Sequence, residues 1–100
     1  MYNRIAIPDY SNDAVLHTFS TNDSWTASEN CAIIGYMRYN SSQGGYNSGM
    51  SANGIIIGVA YTNGVTTYTP VFAFVSAGDV ITTDPQGQYD SIKAYKLKTT

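Results

Sequence analysis

"GVAYTNGVTTYTPVFAFVSAGDVI", residues 58–81, sets one tight turn, one proline and one aspartate against a long apolar, β-branched background. The stretch reads as a hairpin at Asn63-Gly64 whose second strand, 65–75, is unusually long. Both alternating faces of that strand are apolar. Tyr68, Pro70, Phe72 and Phe74 occupy one face, and Val65, Thr67, Val71, Ala73 and Val75 the other. Residues 31–39 repeat the pattern, with Cys31, Ile33, Gly35, Met37 and Tyr39 set against Ala32, Ile34, Tyr36 and Arg38. An antiparallel strand covered on one side alternates apolar with polar residues. A strand apolar on both sides needs cover on both, and 100 residues are too few for a third layer. The spare face calls for another copy of the chain.

Composition points the same way. Only 12% of the residues are charged, against about 25% in an ordinary soluble domain. A large obligate interface, which resembles a core cut in half, accounts for that shortage. The net charge of -2 argues against nucleic acid or an anionic membrane as partner, because both need clustered Lys and Arg. No apolar run is long enough for membrane insertion, and "MYNRIAIPDYSND" lacks the pattern of a signal peptide. The chain is expected to form one domain over 1–100.

Catalytic and metal chemistry finds no foothold. Cys31 is the one cysteine, so no intrachain disulfide forms, and the run "CAIIGYM" makes it a small buried hydrophobe. Its single prospective base is His17. Glu29 and the aspartates Asp9, Asp13, Asp23, Asp79, Asp84 and Asp90 stand mostly in turn contexts and offer no privileged carboxylate pair. A calcium site built from Asp79 with Asp84 or Asp90 lacks the spacing of a calcium loop. The expectation is no enzyme, no cofactor and no metal. Asp79, after Gly78, is expected to cap a turn.

The expected strands are 3–7, 14–19, 24–27, 31–39, 49–53, 55–61, 65–75, 79–83 and 88–97, with no helical period anywhere. Asn53-Gly54, like Asn63-Gly64, suits the positive φ angles of a type I′ hairpin turn. "YNSSQGGYNSGM", residues 39–50, reads as a long surface loop. The predicted class is all-β, an antiparallel two-sheet sandwich.

Five segments in order also carry a resemblance: "IPDYSN" (7–12), "SWTASENCAIIGYM" (24–37), "SANGIIIG" (51–58), "TPVFAFVSAGDVIT" (69–82) and "SIKAYKL" (91–97). Across almost the whole chain these resemble the C-terminal tip domains of trimeric bacteriophage tail fibres and receptor-binding proteins. Ser28 stands where that pattern has proline and Cys31 where it has glycine, which bears on the geometry of the first turn. The resemblance implies a jelly-roll-like sandwich assembled as a homotrimer on the virion surface. It also implies that the chain is the end of a longer fibre protein, contacting a host cell-surface glycan or protein. A structural fibre cap (tail or head) without receptor contact is the alternative, and a polysaccharide-degrading enzyme a third.

On this reading the trimer interface uses Ile34, Tyr36, Phe72 and Phe74, with Ile34 and Phe72 marking separate candidate faces. Receptor contact is expected from Gln43, Tyr46 and Asn47 in loop 40–50, where tyrosine offers a flat ring and a hydroxyl and the amides match sugar hydroxyls. Tyr61 and Tyr68, flanking Asn63-Gly64, form a rival patch.

Overall fold

Runs of Val, Ile, Thr and Tyr broken by Asn, Gly and Asp turns give nine strands in the computed structural model, which describes residues 5–39, 46–62, 65–89 and 91–99, with the backbone alone for 46–48 and 62. They are β1 (Ala6–Pro8), β2 (Val15–Thr18), β3 (Ser24–Thr26), β4 (Cys31–Tyr39), β5 (Tyr46–Ala52), β6 (Ile55–Thr62), β7 (Thr67–Val75), β8 (Val80–Thr83) and β9 (Lys93–Thr99), with a short 3-10 turn at Asn12–Ala14. Among the described residues no helix is long and apolar enough to cross a membrane. The chain is all-β, as expected, and its strands form two antiparallel sheets.

One sheet has the order β7-β4-β9, with β2 and β1 lying end to end along the far edge of β9. The other has the order β6-β5-β8-β3. The longest pairing joins β4 to β7, from Cys31 opposite Val75 to Tyr39 opposite Thr67. Residues directly opposite in such a ladder project on one side of the sheet. Cys31, Ile33, Met37 and Tyr39 therefore share a side with Val71 and Val75. All are buried, and they pack with Met50, Ala60, Ile81, Tyr89, Ile92 and Phe19 in the core between the sheets. The even-numbered side faces outward. Ile34 lies opposite Phe72, so these two share a single outer face and do not mark separate ones.

Local chemistry explains the tight turn. Asn53 and Gly54 both have positive φ, at 51° and 80°, and Ala52 pairs directly with Ile55 across them. This is the geometry that Asn-Gly favours in a two-residue hairpin. Asp79 does cap its turn: its Oδ2 accepts the Ser76 N–H at 2.8 Å and its Oδ1 accepts from the Asn53 side chain at 2.9 Å.

Three expectations are corrected. The loop over 40–50 is too long, because Tyr46–Ala52 is strand β5, paired with β6 from Tyr46 opposite Thr62 onward. Ladder bonds outweigh the weak strand propensity of its Asn, Ser and Gly residues. Asn63-Gly64 lies outside the described residues, but the flanking strands are not hairpin partners. β6 pairs with β5 and β7 with β4, so the connection crosses between sheets. The strand expected over 88–97 begins only at Lys93. Before it, Gln88 makes a lone bridge to Arg38, and the chain then passes over β4 at Gly35.

That crossing fixes a glycine. A Cβ on Gly35 would sit 2.5 Å from the Ser91 carbonyl oxygen and 2.6 Å from the Ile92 Cα, and its φ is +153°. Ser91 clamps the same place, its hydroxyl donating to the Tyr36 carbonyl and accepting the Tyr36 N–H. Gly35→Ala is expected to cost about 3 kcal/mol, through backbone collision and a disfavoured φ. Urea unfolding of the variant beside the parent protein measures it.

Candidate functional site

The ladder registers bring four strand ends together at one end of the sandwich. β4 ends there at Tyr39 and β7 begins there opposite it; β5 begins there at Tyr46 and β6 ends there opposite it. Tyr39, Tyr46, Thr62 and Thr67 therefore lie at the same end. The two patches set against each other in the sequence, Tyr46 with Asn47 and Tyr61 with Tyr68, belong to one region. Asn47 is paired directly with Tyr61. Gln43 and the side chains of Tyr46 and Asn47 lie outside the described residues. Tyr61 and Tyr68 are both exposed, and the Thr67 hydroxyl donates to the Tyr61 carbonyl at 3.2 Å, holding the strand ends close.

A cavity of about 300 Å³ opens at this end, lined by Arg38, Thr66, Tyr68, Gln86 and Gln88. Its floor is rigid. Arg38 and Gln88 exchange backbone bonds in both directions, at 2.9 and 2.8 Å. The hydroxyl of buried Tyr39 donates to the Gln86 Oε1 at 2.9 Å. The Tyr68 ring is braced by Tyr36, centroid to centroid 5.9 Å. On the far side of Gln88 lies a second cavity of about 350 Å³, formed with Ser20, Thr21 and Tyr89.

Asp84 organises the loop that carries both glutamines. Its Oδ1 accepts the N–H groups of Gln86 and Gly87, each at 3.0 Å, and lies 2.9 Å from the Tyr89 hydroxyl. Its Oδ2 accepts the Gly49 N–H at 2.8 Å, while its own N–H donates to the Gly49 carbonyl at 3.1 Å. The Asn22 N–H donates to the Asp84 carbonyl at 2.9 Å, and the Thr21 hydroxyl to the Gly87 carbonyl at 2.6 Å. A carboxylate receiving several backbone N–H groups makes the loop a fixed platform.

The expected interface residues gather on the outer face of the first sheet. Tyr36, Phe72 and Phe74 are 49%, 56% and 57% exposed, and Ile34 is half-buried among them. Phe72 and Phe74 meet edge to face at 5.2 Å. Tyr95 joins the same face beside Ala32, which is itself fully covered.

Three titratable groups away from this end have structural roles. The His17 Nε2 and Asp23 Oδ2 are 2.8 Å apart, and the imidazole stacks on Trp25 at 5.0 Å. Burial alone would raise the Asp23 carboxyl, but the bonds from His17 and from the Ser20 N–H outweigh it and hold the group below its ordinary value. Burial pushes the Cys31 thiol up to about 11, with Glu29 and Asp79 adding to the shift. A thiol so held stays protonated near neutral pH and is a poor nucleophile.

Of the pocket residues, only Tyr68 was singled out in the sequence. Arg38, Thr66, Gln86 and Gln88 were missed. "DPQG", 84–87, is a legible turn signal, but nothing local says that this turn returns to β4. No protein-family model matches the chain, and no curated protein or solved structure matches it.

Two outcomes follow from these contacts. Asp84→Asn preserves shape but turns an amide NH2 toward backbone donors. It is expected to cost about 2 kcal/mol, read by urea unfolding. For Asp23, the folded-state value lies below the ordinary 3.8. Its stabilisation is therefore complete above that value and lost as pH falls through the lower, folded one. Asp23→Asn should flatten this acid limb of the stability–pH curve and leave the limb above neutrality in place.

Proposed function

We propose that the protein is a receptor-binding tip domain of a trimeric phage fibre, acting by adhesion without chemical turnover. The observation that carries this reading is the outer aromatic face of Ile34, Tyr36, Phe72 and Phe74 on a chain so poor in charge. Burying one such aromatic side chain contributes about 2 kcal/mol, so three of them leave a large drive for association.

Strand order supports the jelly-roll part of the reading. β2-β9-β4-β7 faces β3-β8-β5-β6, and successive strands switch sheet one by one from β2 to β5 and again from β6 to β9, the strand order of an eight-stranded jelly roll. A cyclic trimer joins unlike surfaces head to tail. The chain offers a second exposed apolar strip for this, Ile55, Ile56 and Val59 on β6 of the other sheet. The aromatic face of one protomer against the β6 strip of the next closes the ring. The loop end, with Tyr61, Tyr68 and the segments holding Gln43, Tyr46 and Asn47, then meets the host. Three copies of a weak site gain avidity when they engage one cell surface.

Sedimentation equilibrium is expected to find a trimer at micromolar concentration, and Phe72→Asp a folded monomer with native far-ultraviolet dichroism. A folded monomer of the unaltered protein at that concentration would overturn the assembly. Fluorescently labelled trimer should adsorb to host cells, and the Phe72→Asp monomer should adsorb at least tenfold more weakly. A trimer without adsorption would make the domain a structural fibre cap.

A further inference from the structure

We infer that the pocket between β4, β7 and the 84–88 loop selects saccharides that carry an anionic group, a uronate-type carboxylate or a phosphodiester. This rests on the receptor-binding reading above and names the ligand class of that site.

The inference comes from the polarity of the pocket's fixed groups. Arg38 is an exposed lining residue of the cavity, and its guanidinium has five donors and no acceptor. Among the described residues it has no ion-pair partner. Gln86 is oriented by the bond from the Tyr39 hydroxyl to its Oε1. That bond points the amide's NH2 group away from Tyr39 as an available donor, while the Oε1 keeps one lone pair. The platform under both is held by Asp84 and by the paired backbone bonds between Arg38 and Gln88. Two preset donors, one of them charged, fit a ligand rich in acceptor oxygens. An anionic oxygen pair suits the guanidinium fork best.

The other lining residues point to a sugar as the carrier of that anion. Tyr68 presents an exposed, braced ring on one wall, a flat apolar surface for the C–H face of a pyranose. Thr66 and Gln88 supply groups that serve hydroxyls as donor or acceptor. Gln88 also lines the neighbouring cavity with Ser20 and Thr21. The two hollows share Gln88, so a repeating chain with more than one sugar has polar groups on either hand of it. The protein's own net charge of -2 disfavours a densely anionic polymer, so the charge must be read locally by Arg38.

Calorimetric titration of the intact protein tests this with three probes of equal length: neutral glucan oligomers, glucuronate-bearing oligomers and glycerol-phosphate-bearing oligomers. At least one acidic series is expected to bind about tenfold or more tightly than the neutral series, the factor that ~1.4 kcal/mol gives. Which acidic series binds identifies the source of the anion. That preference should shrink as salt is raised to ~0.5 M. Arg38→Gln should abolish the preference by weakening acidic binding far more than neutral binding, and Tyr68→Ala should weaken every series. Arg38 is exposed and its backbone bonds survive the substitution, while the comparison among probes needs no variant at all.

Equal affinity for acidic and neutral oligomers would overturn the anionic class and leave the saccharide receptor reading in place. An acidic preference that survives Arg38→Gln would overturn the assignment to this pocket. A protein that adsorbs to host cells but binds none of the three series overturns the inference and leaves a receptor of another kind. Failure of the folded trimer to adsorb to cells at all removes the receptor reading itself.

Discussion

The pairing of β4 with β7 is the constraint on which the remaining structure depends. Nine residues of each strand stand in register, so whatever faces inward from one faces inward from the other. Cys31, Ile33, Met37 and Tyr39 on β4, with Val71 and Val75 on β7, become one wall of the core. The same register commits Ile34, Tyr36, Phe72 and Phe74 to the opposite side. A two-layer sandwich has a single interior, so the second apolar face is left at the surface by geometry, however hydrophobic it is. The shortage of charge and the exposed residues Ile55, Ile56 and Val59 on β6 add to the apolar surface left in water.

Gly35 and Asp84 show how the two halves of the chain are tied to that ladder. The segment entering β9 passes so close to Gly35 that a methyl group has no room, and Ser91 bonds to the Tyr36 backbone at the crossing. Asp84 ties the loop before it to β5 and to the turn after β2. Between them these contacts seal one side of the core, where Tyr89 and Ile92 are fully buried, and hold Gln86 and Gln88 over Arg38. The polar pocket is thus a consequence of how the sandwich closes. Loops fixed on a rigid scaffold in this way are common sites of recognition.

Much of the architecture was legible because its causes are local. The period-two pattern located most of the nine strands, and Asn53-Gly54 announced its turn through the φ angles that only such a pair takes readily. Strand 31–39 appears as read and the expected 65–75 begins at Thr67, both with the alternation read from the sequence, while Val65 lies outside the strand and is exposed. Asp79 behaves as a residue after a turn glycine should. Where the reading slipped, a non-local partner decided. Residues 46–48 look like a loop by composition and are strand because β6 supplies their ladder. Residues 88–92 look like the start of a strand and instead cross over β4.

By itself the sequence determined that the chain is all-β, where its tight Asn-Gly turn falls, and that two long strands carry more apolar surface than one sandwich can cover. Those properties depend on side-chain period and backbone preference over a few residues. The tertiary structure alone decided which face of each strand is the interior, because alternation is symmetric and either face reads as core until a partner is chosen. It alone sent β6 and β7 to different sheets, brought the two expected receptor patches to one end, and assembled Arg38, Thr66, Tyr68, Gln86 and Gln88 around a cavity. Those residues lie on three separate segments of the chain, and only the closing of the two sheets over one core sets the distances between them.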